Sequence, residues 1–371
     1  MNYKEKINNI DVFSPYILAI AIIIFLIMAY IGSITRYNLS FTTPLSPETI
    51  LYVLYATIIF IATVTIIRHF IKTNTLNLKE TPLFTFINKI LTEKTLLILT
   101  ILALILEFIN LILIGDIPLL SGTLKAQSTT VLWRISYLLF LPLINLLIAK
   151  FPKKRYYLLI LIGLILFGIN GYRTSLIAIL MSTFITTYYI RKIEFKYVLI
   201  FLAIVMGLIA VVGFIAAISI EWQTWTLNPL QLILNRAAFT MKVYETALPL
   251  AGTTNGTILQ MIFSSGSPRT FISEYVMNYT ACLTSTLFGP ATLDFGIIGL
   301  TIQMILIGII LQLLHTLQQY KKEFTIAIYA FILAHTLIWI ETGPTDSMVW
   351  ILYIIAIIVL IINKKQFQIK K

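Results

Sequence analysis

The chain has 371 residues, of which 59% are hydrophobic and only 11% are charged. Because a soluble domain has about 25% charged residues, this composition excludes a soluble globular protein and predicts a polytopic membrane protein. The formal net charge of +12 would be compatible with binding to nucleic acid. The single cysteine, Cys282, excludes an intrachain disulfide framework and a cysteine-based metal site.

Ten apolar runs approach or exceed the length needed to cross the bilayer core, which takes about 20 residues of helix. The fifth and sixth runs are separated by a tight-turn signal at residues 168–173. The first run lacks a small-residue cleavage site, so we expect it to remain as the first helix. We therefore predict an all-α polytopic fold of about ten transmembrane helices, at residues 15–34, 49–67, 95–114, 131–149, 155–170, 172–190, 197–220, 292–315, 324–341 and 347–363.

The distribution of lysine and arginine predicts the orientation, since these residues concentrate in cytoplasmic loops. With both termini inside, 20 of the 27 basic residues fall in cytoplasmic connections. The positive charge is thus an orientation signal rather than a nucleic-acid footprint. The basic segment at residues 68–94 is expected to lie along the inner membrane surface. The outer side keeps seven basic residues, namely Arg36, Lys125, Arg134, Arg173, Arg236, Lys242 and Arg269.

The longest break in hydrophobicity covers about residues 221–291, on the predicted outer side. We predict one membrane domain over residues 1–371, with this extracytoplasmic loop packed on its outer face. Within the loop, Asn228-Pro229 is a helix-start signal. The helix should run to about Leu248 and lie in the membrane interface with its apolar side down. A second short helix is expected to end near Asn278.

Three outer arginines are candidate anion ligands. Arg173 begins the sixth helix just after Asn170, where free backbone N–H groups and the helix dipole favour a phosphate. Arg236 lies on one flank of the loop helix, and Arg269 lies in a turn-rich segment. Lys242 lies on the opposite flank, three residues before Glu245, so a solvated ion pair is the alternative. For Arg173 the alternative is an arginine that extends to the lipid headgroups.

Several ionisable groups have two open interpretations. Arg134 could pair with Glu107 of the third helix, or either residue could contact a ligand. Asp294 could be a general base or could cap the eighth helix, and His335 is more typical of a hydrogen-bonded structural histidine. The outer carboxylates that could act as a base are Glu48, Asp116, Glu221, Glu245, Glu274, Asp294, Glu341 and Asp346.

The outer side has no HExxH motif, no DxD pair and no cluster with metal-ligand spacing, and the chain has no P-loop. We therefore predict no metal, no cofactor and no nucleotide hydrolysis. An anion-binding outer face of this kind favours a diphosphate-linked lipid donor, with arginines stabilising the departing diphosphate.

Three short motifs, together with the topology, resemble the oligosaccharide repeat-unit polymerases, the Wzy-like O-antigen polymerase group related to the O-antigen ligases. They are Gly-x4-Asp-Phe-Gly-x2-Gly from Gly289 to Gly299, the Gly-Tyr-Arg-Thr-Ser turn at residues 171–175, and Arg236 followed sixteen positions later by Gly252. No outer arginine has the family's companion x10 spacing to glycine, and the long loop lacks the histidine associated with ligase catalysis.

The resemblance implies an inverting, metal-independent glycosyltransferase of the GT-C type in the cytoplasmic membrane. It would transfer a glycan from one polyprenyl-diphosphate carrier to the terminal sugar hydroxyl of another. A flippase and a chain-length regulator are implied partners. The expected catalytic residues are Arg173, Arg236, Arg269, Asp294 and Glu341, and the expected substrate-binding residues are Arg134, Asn170, Lys242, Glu274 and Asp346.

Three other functions stay open at this stage. A transporter or flippase of lipid-linked glycan would place charged residues near mid-membrane in broken helices, whereas here the charges cluster at the outer edge. A transferase that uses a polyprenyl-monophosphate sugar would carry acidic residues in its first outer loop, which offers only Glu48. A non-enzymatic assembly protein is the third alternative.

Overall fold

The structure, a computed structural model, describes residues 11–35, 43–73, 89–218, 227–264, 266–280, 282–319, 322–363 and 367–369. The predictions for Arg36, Glu221 and most of the basic segment at residues 68–94 lie outside the described residues. The ten longer hydrophobic helices are α1 (Tyr16–Ile34), α2 (Pro47–Phe70), α3 (Glu93–Ile114), α5 (Val131–Lys150), α6 (Tyr156–Ile169), α7 (Arg173–Arg191), α8 (Phe195–Ile218), α12 (Gly289–Gln318), α13 (Lys322–Thr342) and α14 (Ser347–Ile362).

The predicted all-α polytopic fold is confirmed, since each predicted run coincides with one of these helices. Seven are long and apolar enough to cross a membrane, namely α1, α2, α3, α5, α8, α12 and α13. Helices α6 and α14 are apolar but have only 14 and 16 residues, and α7 carries a series of buried serines and threonines. The number of spans and the sidedness of the loops therefore stay predictions.

Two three-residue strands, β1 (Ile71–Thr73) and β2 (Phe367–Ile369), form an antiparallel pair that the sequence does not predict. Helix α13 forms the centre of the described bundle and packs against α5, α7 and α12. Its aromatic side chains, including Tyr329, Phe331 and Trp339, are buried in the main hydrophobic core. Helix α13 is therefore held on several sides.

The predicted outer loop folds into three helices, α9 (Pro229–Ala247), α10 (Thr257–Ile262) and α11 (Pro268–Met277). A short helix, α4 (Gly122–Gln127), lies in the preceding outer connection. Val243 of α9, Ile258 of α10 and Ile272 of α11 meet in a small separate core with Leu293. The loop is therefore a packed layer on the end of the bundle.

Helix α9 has the predicted start, because Asn228 and Gln231 form a reciprocal capping box. Its predicted interfacial position stays a prediction. Leu230 of this helix is 67% exposed, whereas the polar side chains of Asn235 and Thr240 are buried. The cause is close packing on α1, where a Cβ at Gly32 would overlap the carbonyl oxygen of Leu234. Helix α9 is therefore held by protein rather than resting only on lipid.

Helix α12 is interrupted at Phe295 and Gly296, inside the Asp-Phe-Gly motif. Gly296 has φ of 62° and ψ of −147°, a conformation that is essentially restricted to glycine. Gly252, with φ of 78°, approaches this break, and its N–H donates to the Thr292 carbonyl over 2.9 Å. The two glycines allow the outer loop to contact the backbone of α12.

Candidate active site on the predicted outer face

Arg236 is held against Glu341 at the outer end of α13. Its Nε donates to Oε1 of Glu341 over 2.8 Å, and its Nη2 donates to Thr284 Oγ1 over 3.2 Å. The side chains of Arg236 and Glu341 are each 34% exposed. The pair is therefore fixed in orientation but can still be reached from outside the protein.

Arg173 approaches the same carboxylate oxygen from the start of α7. Its Nη2 lies 3.9 Å from Oε1 of Glu341, an ion pair rather than a hydrogen bond. The N-cap residue, Tyr172, makes no side-chain capping bond, so backbone N–H groups of the first turn lack a side-chain partner at that position. Gly213 of α8 makes room for the guanidinium, since a Cβ there would lie 2.9 Å from Nη1.

Arg269, from the first turn of α11, is the third arginine of this cluster. Its Nε donates to Thr345 Oγ1 over 3.0 Å, in the turn that joins α13 to α14. Its charge also acts on Glu341 together with those of Arg173 and Arg236. This turn requires a glycine at Gly343, where φ is 72° and a Cβ would lie 2.7 Å from the Thr286 carbonyl oxygen. We call Arg173, Arg236, Arg269 and Glu341 the arginine cluster.

Lys125 of α4 adds a fourth positive charge that sequence reasoning counted but did not select. Burial, followed by the charges of Arg173 and Arg236, lowers the pKa of Lys125 from 10.5 to about 8. Its Nζ lies 5.5 Å from the centroid of the Tyr172 ring. The hydroxyl of Tyr172 donates to the Lys125 carbonyl over 2.8 Å, and burial raises the pKa of that hydroxyl. Lys125 is thus fixed beside the turn that carries Arg173.

Asp294 has a different position from the one expected of a catalytic base. It is 3% exposed and accepts hydrogen bonds from the Thr254 hydroxyl and from the backbone N–H groups of Ile258 and Leu259. It therefore caps the N-terminal end of α10, whereas the sequence left open a general base or a cap on its own helix. No described contact joins Asp294 to the arginine cluster.

Glu107 does not pair with Arg134, which was one of the two interpretations that the sequence left open. The buried Glu107 carboxylate accepts from Ser136 Oγ over 2.7 Å and from the side-chain amides of Asn170 and Asn110. Arg134 is exposed. Asn170, expected to bind substrate, is fully buried. It links Glu107 to the turn that precedes Arg173, so its described contacts are structural.

The remaining expected substrate ligands fall outside the arginine cluster. Lys242 pairs with Glu245 over 2.5 Å, as its spacing predicts, and Glu274 is exposed on α11. Asp346 caps α14, because Oδ1 accepts from the Met348 N–H over 3.0 Å. In the described part of the chain, no three His, Cys, Asp or Glu side chains are grouped as they would be in a metal site.

A family model described as "Putative O-antigen polymerase" matches residues 11–353, which is most of the chain. The chain belongs to the O-antigen polymerase family. The predicted family is therefore confirmed, and membership supports a membrane polymerase of lipid-linked repeat units with glycosyltransferase-like chemistry.

Two archaeal proteins are similar to this O-antigen polymerase family member. The uncharacterized protein MJ0420 of Methanocaldococcus jannaschii is 26% identical over 368 residues, covering 92% of this chain and 91% of that protein. The uncharacterized protein MJ0419 of the same organism is 28% identical over 274 residues, covering 71% of this chain and 75% of that protein. No solved structure matches the chain.

Proposed function

We propose that this protein joins oligosaccharide repeat units linked to polyprenyl diphosphate, on the outer face of the cytoplasmic membrane. The observation that carries the proposal is the meeting of three arginines around Glu341, with Lys125 close enough for its charge to interact with those of Arg173 and Arg236. Four cations and one carboxylate leave an excess of positive charge. Such an excess is costly where side chains are partly desolvated, unless an anion balances it.

A diphosphate satisfies this charge and matches guanidinium geometry, because arginine binds phosphate oxygens through paired N–H donors. In the proposed complex, the diphosphate of the donor lipid contacts Arg173, Arg236 and Arg269. Backbone N–H groups at the start of α7 point toward the same anion. Glu341 holds Arg236 and Arg173 in position before the donor binds.

The proposed reaction is a direct displacement with inversion at the anomeric carbon. The acceptor hydroxyl oxygen forms the new bond to that carbon while the bond from carbon to the diphosphate oxygen breaks. The bonding electrons pass to the diphosphate, where the arginines stabilise the added charge. The acceptor proton passes to an outer carboxylate, for which the candidates are Glu341 of the arginine cluster and Asp346, which lines a cavity together with Arg269. Arginines supply the electrostatic stabilisation in this scheme.

Replacing Arg236 by glutamine tests the proposal. Loss of one charge-stabilising donor typically lowers a rate by about 10²- to 10³-fold, so Arg236→Gln should leave short glycans in cells that otherwise lack this protein. The matched control is Arg191→Gln, at the opposite end of α7, where the exposed guanidinium donates to the Pro152 carbonyl. Glycan length on a gel and the sidedness of single repeats are the measurements.

Single repeats that still reach the outer surface would agree with a defect in polymerisation. Repeats retained on the inner side would instead assign a flippase function and contradict the proposal. The involvement of a flippase and a chain-length regulator as partners stays part of this proposal.

A further inference from the structure

One edge of the outer loop exposes two large apolar side chains, Leu259 of α10 and Phe263, the residue that follows α10. Phe263 is 61% exposed and Leu259 is 44% exposed. The two are four positions apart, so they lie on the same side of the helix. Ile258 and Ile262, each one position earlier, are buried. Helix α10 therefore has one apolar side that packs in the protein and a second apolar side that faces outward.

The exposed edge of α10 is continuous with the outward face of α12. Phe295, at the break in α12, is half-exposed and lies against the start of α10, since a Cβ at Gly256 would be 3.1 Å from its Cζ atom. Ile298, in the first turn after the break, is 68% exposed. The ring centroid of Phe263 lies 6.3 Å from that of Trp350, in the first turn of α14. We call the exposed apolar set the apolar rim, which consists of Leu259, Phe263, Phe295 and Ile298.

The length of α12 places the apolar rim at the boundary of the bilayer core. The break at Phe295 and Gly296 leaves 22 of the 30 residues of α12 after it, a length of about 33 Å. The bilayer core is about 30 Å thick, so this part of α12 spans it without the residues before the break. The side chain of Asp294, immediately before the break, caps α10. Helix α10 therefore lies at the level where the hydrocarbon of the bilayer ends.

The sequence around α10 carries no charge. Residues 246–268 contain no Asp, Glu, Lys or Arg, and charged residues return on either side, at Glu245 and Arg269. A charged side chain at the depth of the hydrocarbon is costly, whereas a loop surrounded by water has no such restriction. Contiguous exposed apolar side chains mark membrane contacts, and tryptophans such as Trp350 concentrate at the membrane interface. The composition thus agrees with the depth inferred from α12.

We propose that the apolar rim inserts into the bilayer leaflet at the end of the bundle that carries the arginine cluster, with the acyl chains of that leaflet as its partner. Ile258 of α10 and Ile272 of α11 share the small core of the outer loop. The contact with lipid therefore also ties α11, which carries Arg269, to the membrane surface. This anchoring of the loop does not depend on which reaction the arginine cluster performs.

Spin labelling of the full chain in vesicles of palmitoyl-oleoyl phosphatidylcholine tests the insertion. Cys282, the single cysteine, is first replaced by serine, and a nitroxide is then attached to Leu259→Cys or to Phe263→Cys. Collisions of the label with oxygen, which concentrates in hydrocarbon, are compared with collisions with a water-soluble nickel chelate. The ratio of oxygen to nickel collisions should be high at both positions, because the labels lie among acyl chains. Melting temperatures of the labelled proteins show that they are folded.

Two exposed positions provide the matched controls. Ile302→Cys, on the outward face of α12, reports the ratio in hydrocarbon, and Glu274→Cys, on α11, reports the ratio in water. Ratios at both rim positions as low as that of Glu274→Cys would overturn the proposal. Low collision rates with both reagents would show that protein covers the rim, which would overturn it as well. Spin–spin broadening that disappears on dilution with unlabelled protein would then assign the cover to a second copy of the chain.

Phe263→Trp provides a second measurement that needs no attached label. The substitution keeps an aromatic ring at the rim, and its added fluorescence is compared with that of the unsubstituted chain in the same vesicles. Lipids brominated near the glycerol end of the acyl chain should quench this added fluorescence, whereas Glu274→Trp should show no quenching of its own. Equal quenching of the added fluorescence in the two variants would contradict insertion of the rim.

Discussion

Lys125, beside the arginine cluster, carries a charge that depends on pH in the range around 8. Its pKa of about 8 is caused first by burial and then by the neighbouring charges of Arg173 and Arg236. A bound anion offsets the repulsion from both arginines and favours the protonated amine. Binding of a diphosphate above pH 8 should therefore be accompanied by proton uptake at Lys125.

Pyrophosphate affinity should consequently fall as the pH rises above about 8, because the ligand-free amine loses its charge there. Lys125→Arg keeps the charge over this range, so its affinity should fall less steeply between pH 7 and 10. Calorimetric titration of both proteins measures the difference, and the titration of pyrophosphate itself is common to both. Parallel curves for the two proteins would show that Lys125 does not contact or sense the anion.

The sequence identifies candidate site residues when they depart from a general pattern. It does not show which of several neighbouring side chains makes a given contact in the folded protein. The outer arginines stand out because they oppose the positive-inside bias. The sequence left open whether Glu107 pairs with Arg134 or contacts a ligand, whereas in the structure Glu107 contacts Ser136. Arg134 and Ser136 are two positions apart, which corresponds to about 200° around a helix at 100° per residue. One of these side chains therefore faces Glu107 while the other faces outward. The rotation of α5 that decides between them is set by packing.

Helix α9 has some features that follow from its own sequence and others that depend on packing against the rest of the protein. Its ends follow from local sequence, because Asn228, Pro229 and Gln231 form a cap within one turn. Its buried face depends on Gly32, almost 200 residues away, where α1 and α9 approach closely. The position of Arg236 therefore depends on a contact that the sequence of α9 does not contain.

Gly32→Ala should lower the stability of the protein and displace α9. The added Cβ overlaps the Leu234 carbonyl and lies 3.0 Å from the Ala238 Cβ, and overpacking of this kind costs about 1–3 kcal/mol. The matched control is Gly207→Ala in α8, where no described heavy atom lies within 4 Å of the new Cβ. Melting temperatures in one detergent compare the two substitutions. Equal melting temperatures would contradict close packing of α9 on α1.

The Asp-Phe-Gly motif joins two helices, α10 and α12. Asp294 caps α10, Phe295 packs near Gly256, and Gly296 provides the break in α12. Sequence reasoning took Asp294 for a base or for the cap of its own helix. In the structure a residue of α12 caps α10, because the loop that contains α10 folds back onto α12. The spacing of residues along the chain does not reveal this contact.

For the whole molecule, the positive-inside pattern predicts the orientation, and the arginine cluster lies at the end of the bundle that this pattern assigns to the outside. The residues of the cluster come from the start of α7, from α9, from α11 and from the C-terminal end of α13. Lys125 of α4 lies beside them at the same end of the bundle. Four basic residues at this end are among the seven assigned to the outer side from the charge bias. If the sidedness predicted from the charge pattern holds, the proposed diphosphate site lies on the outer face.

The single cysteine makes this orientation measurable without inserting a reporter. Cys282 is exposed and lies between α11 and α12, on the predicted outer side. A membrane-impermeant maleimide should label it in intact cells, and Cys282→Ser should abolish the labelling. In that background Lys154→Cys, at an exposed position between α5 and α6, should react only after the cells are opened. Two results together would reverse the topology and place the arginine cluster on the cytoplasmic side. They are reaction of Lys154→Cys in intact cells and absence of labelling at Cys282 in intact cells that carry the unmodified protein.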